Sequence, residues 1–209
     1  MKLYWTPASP FVRKVMVTLH ELGLMDRVDI VPTRWPHSWA THTVDFAPDF
    51  IAATPVGRIP ALVTDNGLRL VDSSVICDWL NEELGGGRLA PADKAAHWRM
   101  RATLAIANNL LEAQIARRAE TLRQGAERSA DFIAKMADRQ RRCFVELDGA
   151  VVDGPLDLAQ IATAVACGFD DFRYPQDRWR DAAPRLAAWY EGFRQRPSMR
   201  LTEPAETPQ

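Results

Sequence analysis

The first 31 residues, MKLYWTPASPFVRKVMVTLHELGLMDRVDIV, predict the fold class. Residues 2–5 and 28–31 are short apolar runs of the kind that form buried strands. The pair Ser9-Pro10 favours a helix start between them, because serine caps helices and proline suits their first position. Apolar residues then recur at helical spacing before a glycine stop, namely Val12, Val15, Met16, Leu19, Leu22 and Gly23. A strand–helix–strand order usually builds a parallel pair of strands.

The next clear pattern is an antiparallel hairpin followed by a helix. Residues 59–64 and 68–71 are the predicted strands, and Asp65-Asn66-Gly67 is the turn between them. Asp72-Ser73-Ser74 then opens the helix, and a run of three glycines begins a linker over residues 85–91.

Strand signals fade after this linker, and the rest of the chain predicts helices. Residues 92–124 and 129–149 are two long ones. Asp157, with glutamine three residues later, resembles the capping box of a third and very apolar helix. A last helix begins at Pro184, and the tail from Pro197 is predicted to be loose.

This order predicts two domains. An α/β domain covers residues 1–84, an all-helical domain covers residues 92–209, and residues 85–91 join them. Within the first domain, residues 32–55 are rich in proline, tryptophan and histidine and predict a loop with at most one short helix.

Composition excludes several function classes. The chain has 209 residues, and its 26 lysines and arginines against 27 aspartates and glutamates leave a net charge of -1. This balance gives no reason to expect nucleic acid or an anionic membrane as a partner. No apolar run approaches the roughly 20 residues of a membrane span, and the N-terminus lacks a signal-peptide core, so we expect a soluble cytoplasmic protein. Cys77, Cys143 and Cys167 are too far apart for a redox or metal motif, and we expect small reduced side chains.

Ser9 is the first residue that could carry chemistry. A serine before proline at a helix start is most often only a cap. Here it also follows the first strand, at the edge where open α/β sheets bind ligands, and it lies at a helix amino end that favours an anion. A thiolate there would gain the helix dipole and a hydroxyl hydrogen bond, which together could lower its pKa by about two.

Two further stretches each permit two interpretations. Pro60 after Ile59 marks a strand edge or, as a cis peptide, frees the backbone of Ile59 to pair with an extended peptide. Asp72 and Ser73 cap a helix or bind an amino-acid head group, the serine holding its carboxylate and the aspartate its ammonium. Neither stretch alone decides between its two interpretations.

In order along the chain, Ser9-Pro10-Phe11-Val12-Arg13-Lys14, Arg58-Ile59-Pro60 and Asp72-Ser73, followed by a helical region, resemble the cytosolic glutathione transferases. The likeness covers nearly the whole chain and is nearest to serine-type bacterial members. It implies an α/β plus all-α fold, in which a thioredoxin-like glutathione-binding domain precedes a helical bundle, and a homodimer. It also implies glutathione as co-substrate, a small apolar electrophile as second substrate, and no metal.

The same resemblance implies a role for each motif. Ser9 donates a hydrogen bond to the glutathione sulfur, and the Ile59 backbone pairs with the cysteinyl part. Ser73 binds the γ-glutamyl carboxylate, Asp72 contacts its ammonium, and Arg58 reaches the glycyl end. The catalytic residue is then Ser9, and the glutathione-binding residues are Phe11, Arg58, Ile59, Pro60, Asp72 and Ser73.

The second substrate is harder to place. Position suggests that an electrophile pocket is lined by Trp5, Arg101, Asn108 and Phe169, although helical spacing equally places several of them in the core or on the surface. His37 and His42 could serve the glycyl carboxylate or form a metal pair, but their spacing fits exposed loop histidines better. A non-catalytic glutathione-binding or regulatory protein of the same fold is the alternative. Dithiol chemistry at Ser9 is disfavoured because no cysteine precedes Cys77.

Overall fold

A computed structural model of the chain describes residues 1–33, 48–150 and 154–206. The chain divides into two compact units. Met1–Arg88 and the C-terminal residues from Arg200 form one, called the sheet unit below, and Leu89–Met199 form the other, called the helical unit.

In the described part of the sheet unit, four strands form one mixed sheet: β1 Lys2–Trp5, β2 Asp29–Pro32, β3 Ala61–Val63 and β4 Arg69–Val71. The strand order is β2-β1-β3-β4. β1 runs parallel to β2 and antiparallel to β3, and β4 runs antiparallel to β3. The predicted strand–helix–strand unit and hairpin are both confirmed. β3 begins later than predicted, because Pro60 has no N–H to give to the ladder.

The first helix, α1 Pro10–Leu22, begins and ends where the sequence predicts. The Ser9 side chain caps it, and Gly23 closes it in the left-handed conformation with φ 68°. The short helix α2 Pro48–Ala53 falls in the stretch predicted to hold at most one helix. Helix α3 Ser73–Trp79 continues as a π-helical turn over Leu80–Leu84, which the glycines then end.

The core of the sheet unit lies between the sheet and these helices. Fully buried residues from β1, α1, β3 and α3 include Leu3, Val12, Val15, Leu19, Leu62 and Ile76. A mixed sheet in which α1 joins two parallel strands and α3 follows a hairpin is thioredoxin-like. The predicted fold class, this domain followed by a mostly helical region, is therefore confirmed.

The helical unit is built from α4 Lys94–Leu122, α5 Ala130–Ala150, α6 Leu158–Arg173, α7 Trp179–Ala182 and α8 Pro184–Phe193. α4 packs against both α5 and α6. Helix α6 is the most buried, since between Leu158 and Asp170 every residue except Gln160 is buried. This burial agrees with its very apolar sequence.

The prediction of a loose tail from Pro197 is wrong. Pro197–Leu201 form a further helix, α9, in which Ser198 and Met199 are buried. Proline suits the first helical position, and burying Met199 stabilises a turn that is too short to form alone.

Asp157 caps α6 by accepting the Gln160 N–H at 2.8 Å. We expect Asp157→Ala to lower the free energy of unfolding by about 1 kcal/mol, because this N–H then loses its acceptor. Asp157→Asn keeps an acceptor oxygen and is the matched control, expected within about 0.5 kcal/mol of the wild type. Denaturant titration measures both, and an alanine variant as stable as the wild type would exclude a capping contribution.

The three cysteines are free, as predicted. Burial raises the pKa of Cys77 to about 11, and burial also raises the pKa values of Cys143 and Cys167. Because the thiolate is the reactive form, these side chains act as small hydrophobes. Within the described ranges, the helices are too short or too polar to cross a membrane.

Candidate functional site

One rung of the sheet aligns the ends of three strands. Ala61 in β3 pairs with Tyr4 in β1 on one side and with Val71 in β4 on the other. β3 begins at this rung, β4 ends there, and β1 ends one residue beyond it.

The predicted motifs continue directly from these strand ends. Ser9 lies four residues beyond the end of β1, Pro60 immediately precedes β3, and Asp72 immediately follows β4. Segments that are far apart in sequence therefore meet at one end of the sheet. This is the place where open sheets with parallel strands bind ligands.

At the first motif, the Ser9 hydroxyl both caps α1 and keeps a proton to donate. Its Oγ accepts the Val12 N–H at 3.3 Å, and the side chain is half-buried. A hydroxyl has two acceptor lone pairs and one donor hydrogen, so capping leaves the hydrogen for another acceptor. The capping and chemical interpretations of Ser9 are therefore compatible.

The first turn of α1 offers one further donor. Pro10 has no N–H, the Val12 N–H goes to the Ser9 hydroxyl, and the Arg13 N–H goes to the Ser9 carbonyl at 3.0 Å. The Phe11 N–H makes no backbone hydrogen bond to another described residue. An anion at this helix end could thus accept from the Phe11 N–H and from the Ser9 hydroxyl while gaining the helix dipole.

At the Asp72-Ser73 motif, Asp72 adopts a positive φ of 73° with ψ 123°, a backbone conformation that costs a non-glycine residue about 1–3 kcal/mol. Its Oδ1 accepts the N–H groups of Ser74 at 2.7 Å and Val75 at 3.3 Å, which caps α3. Among the described residues no hydrogen bond to its Oδ2 is found. The exposed carboxylate therefore caps the helix with one oxygen and keeps the other for a ligand.

Ser73 follows at the first position of α3 and is 4% exposed. Its hydroxyl makes no hydrogen bond with the rest of the described chain, and neither does its N–H. Both donors lie at a helix amino end, the arrangement that holds a carboxylate.

Lys14 is a site residue that the sequence analysis did not single out. It is 2% exposed on α1, and its Nζ donates to the Ser74 Oγ at 3.0 Å. A fully buried lysine is rare, so the sequence gives only a weak signal for it: Lys14 and Thr18 recur four residues apart beside the apolar face. The contact places a positive charge beside the start of α3.

Between these helix ends lies Ile59, whose peptide bond to Pro60 is cis. Ile59 is half-buried, and no backbone hydrogen bond joins it to another described residue. Its N–H and carbonyl are therefore open to an extended ligand. Arg58, beside it, is exposed.

The residues suggested for the second substrate differ in their surroundings. Trp5, Arg101 and Asn108 are half-buried, and Arg101 and Asn108 share one face of α4, being seven residues apart. Phe169 is 2% exposed inside the helical unit, where its role is packing. His37 and His42 lie outside the described residues. In the described part of the chain, no cluster of three or more histidine, cysteine, aspartate or glutamate side chains could hold a metal ion.

Comparison with known proteins gives a consistent result. Residues 8–83 match the family model "Glutathione S-transferase, N-terminal domain". The chain is 29% identical to the uncharacterized GST-like protein YibF of Escherichia coli K12 over 98% of both chains.

Solved structures are similar over nearly the whole chain. A glutathione transferase family member from Pseudomonas fluorescens Pf-5, crystallised with bound glutathione, is 35% identical with a TM-score of 0.85 and coverage of 98% and 99% of the two chains. A glutathione S-transferase from Methylobacillus flagellatus with glutathione bound is 27% identical with a TM-score of 0.83, at the same coverage.

Proposed function

The chain belongs to the glutathione transferase family, and we propose that it binds glutathione and activates its thiol for attack on a small apolar electrophile. The observation that carries this proposal is the alignment of Ser9, Ile59 and Asp72-Ser73 at one end of the sheet. The glutathione bound to the Pseudomonas fluorescens relative supports it.

In this proposal the tripeptide lies along that end of the sheet. Ser73 receives the γ-glutamyl carboxylate through its hydroxyl and N–H, and the Oδ2 of Asp72 accepts from the ammonium group. The backbone of Ile59 pairs with the cysteinyl residue, and Arg58 reaches the glycyl carboxylate. Lys14 holds Ser74 in place and adds positive charge near the bound carboxylate.

The proposed site is of the serine type, because Ser9 is the residue that donates to the glutathione sulfur. The glutathione sulfur lies at the amino end of α1, where it accepts from the Ser9 hydroxyl and gains the helix dipole. Lowering the thiol pKa by about two, worth about 2.7 kcal/mol, changes the thiol from a few per cent ionised at pH 7 to mostly ionised. The thiol proton leaves to solvent, and the thiolate forms a C–S bond to an electrophilic carbon. In the same step the C–halogen bond of an aryl halide, the C–O bond of an epoxide or the C=C π bond of an enone breaks. The halide leaves with the electron pair, or the alkoxide or enolate that is formed takes a proton from solvent.

The role of Asp72 predicts a specific effect on affinity. Asp72→Asn keeps an oxygen to cap α3 and a residue that tolerates positive φ, but it removes the charge that faces the ammonium. We expect the dissociation constant for glutathione to rise about tenfold, because a charge-assisted hydrogen bond becomes a neutral one. Isothermal titration calorimetry measures this.

Asp29→Asn, at an exposed position on β2, is the charge-matched control and should bind like the wild type. Equal affinity in Asp72→Asn and the wild type would remove Asp72 from the ammonium site.

Calorimetry followed by turnover assays tests the function as a whole. We expect glutathione to bind at or below millimolar concentration and to be consumed with at least one member of a panel of aryl halides, epoxides and enones. Binding without turnover on the whole panel would favour the non-catalytic alternative. No binding at millimolar glutathione would refute the proposed function and would favour a regulatory protein of the same fold.

The family also implies a homodimer, which stays a prediction for this chain. Sedimentation equilibrium tests it, and twice the monomer mass of 23.5 kDa is the expected value. A single species of monomer mass would contradict it.

A further inference from the structure

Lys14 carries a positive charge into the interior of the sheet unit. Its side chain is 2% exposed, whereas lysine is almost never fully buried unless its ammonium group is paired. Its Nζ donates to the Ser74 Oγ at 3.0 Å, and Ser74 is the second residue of α3. Solvent ions screen a buried charge much less than an exposed one, so this ammonium acts beyond its own hydrogen bond.

Two contacts hold α1 against α3 at this point. One is the bond between Lys14 and Ser74. The other is made by Thr18, whose hydroxyl donates to the Lys14 carbonyl at 2.9 Å and lies 3.3 Å from the Cys77 Sγ on α3. Ser74 and Cys77 are three residues apart and therefore share one face of α3. The ammonium is thus fixed beside the first turn of α3 by the packing of the two helices.

The charge of Lys14 acts on the beginning of α3. Burial is the largest cause that raises the pKa of Cys77 to about 11, and Lys14 opposes it, whereas Asp78 and Asp72 raise this pKa further. Lys14 and Asp72 therefore act with opposite signs on the same buried group. The first turn of α3 lies within the reach of one fixed cation and one fixed anion.

Ser73 stands between these two charges in the chain. Asp72 precedes it, and Ser74, which accepts from Lys14, follows it with its Cα about 3.8 Å away. Ser73 is 4% exposed, and its hydroxyl makes no hydrogen bond with the described chain. Its Oγ is not one of the described polar atoms that are both unpaired and inaccessible, so a ligand can reach it. A polar group in such a position calls for a partner.

The charges on either side of Ser73 complement a zwitterion. A γ-glutamyl head group carries an ammonium and a carboxylate on the same carbon atom. With its ammonium at Asp72 and its carboxylate at Ser73, the head group matches the anion and the cation of the protein in sign. Lys14 is too buried to touch the ligand, so its charge acts across Ser74 rather than by direct contact.

We propose that Lys14 is a specificity-determining residue, which selects thiols whose γ-glutamyl head group keeps a free α-carboxylate. The inference rests on the proposed function, because it takes this carboxylate to lie at Ser73. It adds the residue that discriminates the charge of the head group. A thiol that lacks the α-carboxylate gains nothing from the Lys14 charge.

Two ligands that differ only in this carboxylate isolate the effect of the charge. They are glutathione and 4-aminobutyryl-cysteinylglycine, which keeps the ammonium and lacks the α-carboxylate. We expect Lys14→Gln, which keeps an N–H donor but no charge, to raise the dissociation constant for glutathione about tenfold. The dissociation constant for the analogue should change by less than about twofold, because no ligand carboxylate faces the lost charge. Calorimetry measures glutathione binding, and NMR titration measures the weaker analogue.

Lys2→Gln is the matched control, since it makes the same substitution at an exposed position on β1 and should leave both dissociation constants unchanged. Asp72→Asn provides a contrast, because both ligands carry the ammonium and both should bind more weakly. Circular dichroism verifies folding. If Lys14→Gln does not fold, Lys14→Met, whose side chain has a similar length, takes its place.

Equal weakening of the two ligands in the Lys14 variant would show a structural role alone and would overturn the inference. Unchanged affinity for glutathione in that variant would overturn it as well. Both results leave the proposed function intact, because the wild type still binds glutathione. A wild type that binds no glutathione would instead refute the proposed function, and this inference with it.

Discussion

Ser9→Gly is expected to lower kcat/KM for glutathione conjugation by about 10- to 100-fold near neutral pH, because the thiolate loses a charge-assisted hydrogen bond. Glycine is the preferred replacement since it costs a helix cap only a few tenths of a kcal/mol, whereas alanine costs about 1 kcal/mol. The helix dipole is unchanged in this variant, so part of the activation should remain.

Ser9→Thr is the matched control. Threonine keeps a hydroxyl at the same position and also caps helices, so we expect most of the activity to be retained. Steady-state kinetics over a pH series measures both variants, with affinity for glutathione measured separately. If glycine and threonine variants were equally active, the hydroxyl would have no part in catalysis.

Asp170 is expected to make the protein less stable as the pH rises from about 4 to about 7. Burial is the largest cause raising its pKa from 3.8 to about 7, nearby Asp177 and Asp171 raise it further, and Gln114 and Arg117 oppose them. Between these pH values the folded state holds a proton that the unfolded chain has released, so the free energy of unfolding falls with increasing pH. Over this pH range the free energy of unfolding falls by a total on the order of 4 kcal/mol.

Asp170→Asn isolates this contribution, because asparagine resembles the protonated carboxyl and can still accept from Gln114. The variant should match the wild type near pH 4 and exceed it in stability above pH 7. Urea titrations of both proteins at a series of pH values measure the difference. If the difference in free energy of unfolding between the two proteins did not change with pH, Asp170 would titrate in the folded protein as it does in the unfolded chain.

The parts of the fold that could be predicted are those with local signals. Ser9 and Gly23 mark the ends of α1 through capping chemistry, and the apolar sequence of α6 shows its burial directly. The ends of β3 and the short helix α9 depend on pairing and burial provided by distant residues. Sequence patterns carry little information about such contacts.

The residues of the candidate site also divide into those that local sequence patterns predict and those that depend on contacts with distant residues. Ser9, Pro60 and Asp72 follow from motifs and from strand order. The burial of Lys14 against Ser74 depends on how α1 packs on α3, and the positive φ of Asp72 depends on how β4 meets α3. The burial of Asp170 against Gln114, outside this site, depends on how α6 packs on α4, so no pattern within a single helix could indicate it.

The pKa of glutathione bound to the wild-type protein tests the central claim most directly. Thiolate absorbance of the complex, followed over a pH titration, should give a midpoint of about 6.5, roughly two below that of the free thiol. A midpoint equal to that of free glutathione would contradict the claim that the amino end of α1 stabilises a thiolate.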